Sequence, residues 1–492
     1  MKKITLILVL FTAVGGLSIN TNAQTPVPGG NVSGTWALTG SPYLIQGAII
    51  IPNDSTLTIE PGVTVNFQGT YKLYVQGRII AIGTATDTII FTVANTTNGW
   101  RGIRFDNTPA TNDTSKLYYC KLQYGKATGN SPDNKGGTFY FYNFSKVIIA
   151  NCRISNCTAN SYGGGIFCYS SSPTISNNTI SNNTTNNGGG GGIYCDSGSP
   201  TISNNTISNN TAYGGGGGIY CFYSSPTISN NTISNNTTNS NGGGIFCYSN
   251  NSTITNNTIV NNSAVNGGAL YCTGTSNPIL RNTILWGNIA STSGQQVFLN
   301  DEGSDPNFYY CNVQGGTAAF GLNGNFYTGI YQNNINADPL FVAPSAGSGT
   351  SYDGVNADWS LQSGSPCINA GDPSGTYPAT DIAGNPRIIG GTIDIGAYEY
   401  QTIDAVAQYS SQTAFAVYPN PSSGKIQVIS NQYSVIGIEI YNVMGEKIYS
   451  ASHFPLGKEG DGLLDLSLQP AGIYLLQIKS GDKVDEQKII KQ

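Results

Sequence analysis

The feature that most constrains this chain is a repeat of about 26 residues. Three consecutive segments are almost identical: GGGIFCYSSSPTISNNTISNN from Gly163, GGGIYCDSGSPTISNNTISNN from Gly190 and GGGIYCFYSSPTISNNTISNN from Gly216, with looser copies from Gly242 and Gly267. Each copy supplies three short strands separated by Gly, Ser-Pro and Asn-Asn bends. A period of this length without a helical pattern predicts a parallel β-solenoid built from three-sided coils.

Stacking the coils places equivalent residues in columns along the solenoid axis, about 4.8 Å apart. Two apolar columns are predicted to form the core: Ile175, Ile202, Ile228, Ile254, Ile279 and Ile180, Ile207, Ile233, Ile259, Ile284. Most of the ten cysteines also fall on inward columns, and none belongs to a CxxC pair. Buried thiol stacks are therefore predicted in preference to disulfides or metal ligands, with an oxidised pair between adjacent coils as the open alternative.

The second asparagine of each Asn-Asn bend shares its column with small residues, which suits a buried bend. We predict a buried structural ladder in which each side-chain amide hydrogen-bonds its neighbour along the axis. The ladder residues are Asn178, Asn205, Asn231, Asn257 and Asn282.

Aromatic residues form two outward columns beside the cysteines. The first holds Phe167, Tyr194, Tyr220, Phe246 and Tyr271, and the second holds Tyr169, Phe222 and Tyr248. Rings at regular spacing on one face can stack on the apolar faces of sugars, so all eight are glycan-binding candidates. Two alternatives stay open: the rings only stabilise one another, or the outward Thr and Ser residues of the coils form a lattice that orders water.

Carboxylates and histidine are too sparse in the repeats for most catalytic sites. The single histidine, His453, lies far from the repeats, and Asp196 is the one carboxylate between Thr158 and Leu280. Ser-His-Asp and His-zinc chemistry are thereby disfavoured. Asp301, Glu302 and Asp305 share one loop and form a candidate hard-cation site, with a solvated loop as the alternative. No cofactor is expected, apart from calcium at that loop.

The chain has the start of an exported protein. Lys2 and Lys3 precede an apolar run and a small-residue site at Ala23, which predicts a signal peptide over 1–23. No later segment is apolar enough for a transmembrane helix. The net charge of −5, without a cluster of Lys and Arg, argues against nucleic acid as a partner.

The repeats resemble right-handed parallel β-helices of the pectate-lyase-like superfamily and of bacterial surface proteins. We therefore expect an N-terminal cap and first coils over 24–112, and β-helix repeats over 113–335. From Asp338, the segments DPLF, DWSLQSGSPCINAGD and TDIAGNPRIIGGTIDIGAYEY are similar to a module that closes many exported β-helices. The resemblance implies a closing module over 336–400, followed by a linker over 401–413.

The last 79 residues, 414–492, alternate apolar and polar residues as an antiparallel, immunoglobulin-like β-sandwich does. They are similar to the type A sorting domain of the type IX secretion system. The matching positions include Pro419, Asn420, Pro421, Gly424, Gly445, Gly472 and Lys488. The resemblance implies a Bacteroidetes-like source, the type IX machinery as partner and a cell-surface or extracellular location.

The sequence thus predicts an all-β protein, a right-handed parallel β-helix followed by a small β-sandwich. The function expected for it is that of a non-catalytic adhesin or a rod that binds polysaccharide or host-cell glycans. The alternative is a polysaccharide lyase or glycoside hydrolase with its site outside the perfect repeats.

Overall fold

The computed structural model describes residues 24–375, 377–401, 416–429, 435–455, 462–480 and 483–492. The chain divides into two units, 1–401 and 402–492. The predicted signal peptide and all of the predicted linker except Gln401 lie outside the described residues.

The strands of the first unit form parallel sheets in which each strand pairs with its equivalents in the coils before and after. Sheet I has 12 described strands: Thr25–Val27, Tyr43–Ile45, Thr64–Phe67, Ile89–Val93, Cys120–Gln123, Arg153–Ser155, Thr179–Ser181, Thr206–Ser208, Thr232–Ser234, Thr258–Val260, Ile284–Trp286 and Asn312–Val313. Sheet II has 11: Gly30–Asn31, Ile49–Ile51, Leu73–Val75, Ile103–Asp106, Phe139–Tyr142, Ile166–Tyr169, Ile193–Asp196, Ile219–Phe222, Ile245–Tyr248, Leu270–Thr273 and Val297–Leu299.

Sheet III completes the three-sided coil. Its 12 described strands are Gly34–Trp36, Thr56–Ile59, Arg78–Ile82, Ser115–Tyr118, Val147–Ala150, Thr174–Ser176, Thr201–Ser203, Thr227–Ser229, Thr253–Thr255, Ile279–Arg281, Asn307–Tyr309 and Tyr331–Gln332. The predicted parallel β-helix is therefore confirmed, and it has about 12 coils. Short 3₁₀ helices lie at Leu38–Gly40 and Gly316–Ala319.

A fourth, narrow sheet was not predicted. Sheet IV consists of Lys126–Ala127, Thr158–Ala159, Thr184–Thr185, Thr211–Ala212, Thr237–Thr238, Ser263–Asn266 and Ile289–Ser293. In the regular coils its strands follow a second Asn-Asn bend, whose first asparagine has a positive φ, as at Asn182 and Asn209. Asparagine tolerates this left-handed conformation better than most residues, so the repeated sequence turns the chain at the same place in each regular coil.

The core is a set of stacked isoleucines and cysteines. Ile175, Ile202 and Ile228 pair in register and are fully buried. The cysteine column of sheet II pairs in register too, and all ten cysteines of the chain are buried with free thiols. Columns of identical side chains exclude water from the axis, which is the dominant stabilising effect in such a coil.

Two predicted core positions and one ladder position are wrong by one residue. Ile254 pairs with Leu280 and Ile259 with Leu285, so leucines continue the two isoleucine columns. Ile279 is 42% exposed, whereas Ile284 is buried on the outer side of sheet I. The cause is a single extra residue between Leu270–Thr273 and Ile279–Arg281, because a shift of one position turns a strand over.

Two asparagine ladders run along the axis. In the predicted ladder, the side-chain amide of Asn178 donates to Asn205 Oδ1 at 3.0 Å, and that of Asn205 donates to Asn231 Oδ1 at 3.0 Å. After Asn257 the column continues with Thr283, because the extra residue moves Asn282 outward beside Asn256. The second ladder, absent from the prediction, links Asn183, Asn210, Asn236, Asn262 and Asn288.

Aromatic residues cover the two ends of the core. Near the first coil, the rings of Trp36 and Tyr43 stack with their centroids 4.6 Å apart. At the other end, Phe320 and Tyr331 pack around Phe308, and Tyr331 follows Phe308 in the same column. These residues come from 316–335, so the end of the core is covered before the predicted closing module begins.

Residues 336–401 instead lie along the outer side of sheet I. Their strands Phe341–Ala343 and Asp358–Leu361 are antiparallel. A second apolar core joins this segment to the solenoid, and it contains Val260, Ile284, Phe341, Trp359, Leu361, Cys367 and Ile395. Arg281 forms an ion pair with Asp372, and Ala397 N donates to Thr258 Oγ1 at 3.0 Å. The predicted closing module is thus a cover for one side of the solenoid.

The second unit is an antiparallel sandwich around a separate core. One sheet contains Ala416–Tyr418, Lys425–Ile429 and Leu463–Asp465, and the other contains Val435–Asn442, Lys447–Pro455, Gly472–Ser480 and Lys483–Lys491. Alternate apolar residues such as Ile438, Ile440, Leu476 and Ile478 fill the space between the sheets. The predicted all-β architecture of this unit is confirmed.

Candidate functional site

Most of the predicted aromatic platform is buried. Rings on sheet II stack continuously along the axis, with centroids 4.3 to 5.5 Å apart. We call this the inner aromatic column; it consists of Tyr140, Phe167, Tyr194, Tyr220, Phe246, Tyr271 and Phe298. Among the predicted binding residues in it, Tyr220 is half-buried and the other four are buried.

Glycine-rich segments of the solenoid lie over the inner aromatic column. A Cβ at Gly189 would lie 2.4 Å from Cδ2 of Tyr220, and one at Gly215 would lie 2.9 Å from Cδ2 of Phe246. Only a residue without a side chain allows this approach of the backbone to a ring. Burial raises the pKa of Tyr271 to about 12. These rings stabilise the solenoid, and the prediction that their faces are open to a sugar is wrong.

A second set of rings remains accessible. We call it the outer aromatic column; it runs along sheet II as Tyr142, Tyr169, Asp196, Phe222 and Tyr248, which are all half-buried. Its rings form two pairs, Tyr142 with Tyr169 at 4.9 Å and Phe222 with Tyr248 at 4.8 Å. Three predicted candidates, Tyr169, Phe222 and Tyr248, therefore lie together on an accessible surface.

Asp196 interrupts the outer aromatic column between the two pairs. It pairs in register with Tyr169 on one side and with Phe222 on the other. These two ring-bearing strands lie two spacings apart, about 9.6 Å. A short side chain replaces a ring between them, which leaves one face of Tyr169 and one face of Phe222 without an aromatic neighbour in the column. We call this gap the Asp196 slot.

The carboxylate at the base of the slot has one hydrogen-bond donor nearby. Ser197 Oγ donates to Asp196 Oδ1 at 2.7 Å. Burial raises the pKa of the Asp196 carboxyl, and the Ser197 hydrogen bond offsets part of this effect. The second oxygen, Oδ2, accepts no hydrogen bond from a described residue and can accept one from a ligand hydroxyl.

Two aromatic residues of this surface were missed by the sequence analysis. Tyr142 belongs to a degenerate coil in which the repeat is hard to recognise, although it pairs in register with Tyr169. Tyr223 follows Phe222, has a positive φ and is 56% exposed. Its ring contacts Phe222 edge-on at 4.6 Å and Tyr248 at 5.3 Å. The alternation of the strand could have predicted Tyr142, but not the left-handed turn that exposes Tyr223.

The carboxylates along the outer column are widely separated. Asp106 lies at the position of Tyr142 in the preceding coil, three spacings from Asp196. Asp301 accepts a hydrogen bond from Thr273, which lies three spacings from Asp196 on the other side. Each separation is about 14 Å along the axis. Paired carboxylates of glycoside hydrolases lie about 5 to 9.5 Å apart.

The candidate cation site at Asp301, Glu302 and Asp305 does not form. Asp301 accepts hydrogen bonds from Thr273 Oγ1 and Gly274 N, whereas Asp305 accepts from the backbone and hydroxyl of Thr328. Glu302 is exposed. The two aspartates thus form hydrogen bonds with different loops. The part of the chain that the structure describes has no group of three His, Cys, Asp or Glu side chains suited to a metal ion.

The predicted Thr and Ser lattice lies on the outer side of sheet III. Thr201, Thr227 and Thr253 are exposed and pair in register, with the half-buried Ser203 and Ser229 beside them. Its role in ordering water stays a prediction.

In the second unit, two of the predicted sorting residues meet. The side-chain amide of Asn420 donates to the carbonyl oxygen of Lys488 at 2.6 Å, and Ile490 N donates to Asn420 Oδ1 at 2.8 Å. Pro419 and Pro421 flank this contact and are exposed. Gly424 has a φ of +121° and approaches the backbone of Ser467, and Gly445 has a φ of +79° in a hairpin turn. Nothing in the structure explains glycine at Gly472.

Two family models match the chain in agreement with this architecture. A family model described as "Right handed beta helix region" matches residues 31–250 and 201–352. A second, "Secretion system C-terminal sorting domain", matches residues 416–492. Among solved structures, the crystal structure of pectate lyase Pel9A is similar, with 13% sequence identity, coverage of 71% of this chain and 89% of that chain, and a TM-score of 0.35. No curated protein matches the sequence.

The sorting domain directs the protein to export by type IX secretion and hence to the cell surface or the medium. Among the described residues, the structure has no helix long and apolar enough to cross a membrane. The β-helix match extends over more than half of the 492 residues, and the parallel sheets occupy the same part of the sequence. The chain therefore belongs to the right-handed parallel β-helix family.

Proposed function

We propose that the protein is an exported, non-catalytic glycan-binding rod, and that it holds one sugar ring of a neutral polysaccharide in the Asp196 slot. The observation that carries the proposal is the replacement of a ring by Asp196 in an otherwise aromatic column. Tyr169 and Phe222 lie on either side of the position where that ring is missing.

The dimensions of the slot suit a pyranose ring. A sugar midway between Tyr169 and Phe222 would lie about 4.8 Å from each ring, given the spacing of the strands. Neighbouring rings within the outer aromatic column stack at 4.9 and 4.8 Å. The apolar face of a sugar would thus take the place that an aromatic ring occupies in the adjacent coils.

The chemistry at the base of the slot favours a neutral sugar. The Asp196 carboxylate accepts hydrogen bonds from hydroxyl groups, and hydrogen bonds to an ionised acceptor are about twice as strong as neutral ones. The same charge repels a uronate or a sulfate. Tyr223, which is more than half exposed, extends the apolar surface beyond Phe222 along the path of a longer glycan.

The spacing of carboxylates supports binding without hydrolysis. Asp106 and Asp301 are each about three coils from Asp196, too far to act with it on one glycosidic bond. Type IX export places such a rod where polysaccharides of other cells, of the medium or of a host are within reach.

The test is a glycan array, followed by affinity electrophoresis in gels containing the best neutral ligand. Asp196→Tyr restores the missing ring, so this variant is expected to fold at least as stably as the wild type and to lose binding by tenfold or more. Asp196→Asn keeps the slot open and a hydrogen-bond acceptor in place, and should retain most of the affinity.

Unchanged affinity of Asp196→Tyr would place the ligand elsewhere and reject the slot. Reducing ends or unsaturated sugars released during the assay would instead support the polysaccharide lyase or hydrolase alternative. The thermal unfolding temperature of each variant serves as the control for folding.

A further inference from the structure

A cleft of about 830 Å³ lies on the outer side of sheet I, away from the aromatic surface of sheet II. It begins where the lateral cover formed by 336–401 ends. Its floor is the uncovered part of sheet I in the coils from Ile90 to Ser181, and its far wall is residues 350–356. Nothing in the proposed function uses this cleft.

Two cations lie side by side on its floor. Lys121 and Arg153 pair in register on adjacent strands, so their backbones lie about 4.8 Å apart. Both side chains are exposed. Neither forms an ion pair or a hydrogen bond with any residue in the described part of the chain, although charged residues are scarce in this protein. Their two positive charges are therefore available to a ligand.

The far wall is held in place by hydrogen bonds. The Asn209 side-chain amide donates to the carbonyl oxygen of Tyr352 at 2.6 Å, and Gly354 N donates to Asn209 Oδ1 at 2.9 Å. The Asp353 carboxylate accepts from Val355 N and from both nitrogens of Asn356. The hydrogen bonds of Asp353 thus stabilise the conformation of the loop. The far wall is therefore preformed in the absence of a ligand.

The remaining lining is suited to a sugar. The rest of the lining consists of amide and hydroxyl side chains together with two tyrosine rings; it includes Gln123, Tyr124, Ser155, Asn156, Ser351 and Tyr352. Amides and hydroxyls match the donors and acceptors of sugar hydroxyl groups. Two cations are too few to hold the phosphate backbone of a nucleic acid on a protein with net charge −5.

We propose that this cleft is a second binding site, which takes an anionic glycan by placing its sulfate or carboxylate group between Lys121 and Arg153. The guanidinium of Arg153 binds the anion with two hydrogen bonds, and the ammonium of Lys121 acts as a point charge beside it. Sulfate and carboxylate share this chemistry.

The experiment compares dextran sulfate, polygalacturonate and unmodified dextran as ligands of the full-length protein in isothermal titration calorimetry. Dextran and dextran sulfate share one backbone, so their difference isolates the anion. In the Asp196→Tyr variant, whose slot is filled, we expect binding of at least one of the two anionic polymers, weakening with added salt, and no binding of dextran. Preference for dextran sulfate assigns the cleft to sulfate esters, and preference for polygalacturonate assigns it to uronates.

Lys121→Gln/Arg153→Gln should weaken anionic binding at least tenfold. The matched control, Lys116→Gln/Lys425→Gln, removes two positive charges elsewhere and should leave the affinity within about twofold. Ser155→Trp fills the cleft without changing the charge and should also weaken binding. The proposal is overturned if neither anionic polymer binds, if dextran binds the Asp196→Tyr variant equally well, or if the control double variant loses as much affinity as the cleft variant.

The proposal for the cleft and the proposal for the Asp196 slot can be rejected independently. Asp196→Tyr lies on sheet II and should not alter the affinity for the anionic polymer. A protein that binds dextran sulfate through Lys121 and Arg153 but no neutral glycan would retain this inference and remove the proposed function.

Discussion

At the scale of single residues, the buried asparagine side chains determine how much stability the coils lose when one residue is substituted. Asn205 Oδ1 accepts hydrogen bonds from the backbone and side-chain nitrogens of Asn178, and its Nδ2 donates to Ile175 O and Asn231 Oδ1. Its removal would leave several buried polar groups without partners, at a cost of about 1 to 3 kcal/mol each.

We therefore predict that Asn205→Ala lowers the free energy of unfolding by about 3 kcal/mol, from the cost of unpaired buried groups. Asn210→Ala should cost a similar amount, because Asn210 occupies the same position in the second ladder. Ser203→Ala, on the outer side of sheet III, is the matched control, with a cost below about 0.5 kcal/mol. Urea denaturation measures all three, and equal stability of Asn205→Ala and Ser203→Ala would contradict the ladder.

Residue-level prediction from sequence was accurate only while the repeat was perfect. Ile175 and Asn205 could be assigned because near-identical copies fix their columns. Ile279 and Asn282 could not, because one extra residue in a turn reverses the sides of the following strand without changing its apolar character. The second ladder was overlooked because its asparagines precede a two-residue strand too short to show alternation.

At the scale of elements, the inner aromatic column stabilises the solenoid, whereas the outer aromatic column is the one that we propose binds a sugar. Tyr194 is 5% exposed and stacks on Phe167 and Tyr220 at 5.5 and 5.0 Å. Tyr194→Ala is expected to lower the unfolding free energy by about 3 kcal/mol, as for other large buried rings. Tyr223→Ala, on an exposed ring, should cost less than about 1 kcal/mol.

Thermal and urea unfolding of these two variants gives the comparison directly. If both changes were equally mild, the inner column would not be part of the packed structure. Sequence alone could place both columns outward of the coil, but it could not predict that glycine segments cover one of them. The burial of the inner column depends on glycine-rich loops of neighbouring coils that pack over its rings.

The lateral cover contains a cluster of buried charged residues, Asp381, Arg387, Asp394 and Glu399. Burial, and the negative charge of Asp394, raise the pKa of Glu399 to about 7, against the opposing effect of Arg387. The raised pKa means that the folded state prefers protonated Glu399. Its contribution to stability is complete below pH 4.5, the ordinary value, and is lost as pH rises through about 7.

We predict that the urea midpoint of the first unit falls between pH 5 and pH 8, and that Glu399→Gln flattens this dependence, because the amide does not ionise. Asp381 and Asp394, which face the same cluster, stay unchanged in the variant. An identical pH dependence in wild type and variant would rule out Glu399 as the titrating group.

At the scale of the whole molecule, the solenoid and the β-sandwich were predictable from different features of the sequence. Repetition alone predicts a solenoid, since identical segments can bury their apolar residues only against one another. The sandwich follows from strict alternation and from turn residues such as Gly445. The placement of 336–401 along sheet I did not follow from either, because long-range packing of an irregular segment leaves no periodic signal. The cleft at its edge was therefore not predictable.

The central claim is that a sugar ring occupies the place of the missing aromatic residue at Asp196. The most direct measurement is a crystal structure of the protein with the neutral oligosaccharide that binds best. We predict a pyranose ring between Tyr169 and Phe222, with a hydroxyl group donating to the Asp196 carboxylate. Sugar density on another surface, with the slot between those two rings filled only by solvent, would contradict the claim.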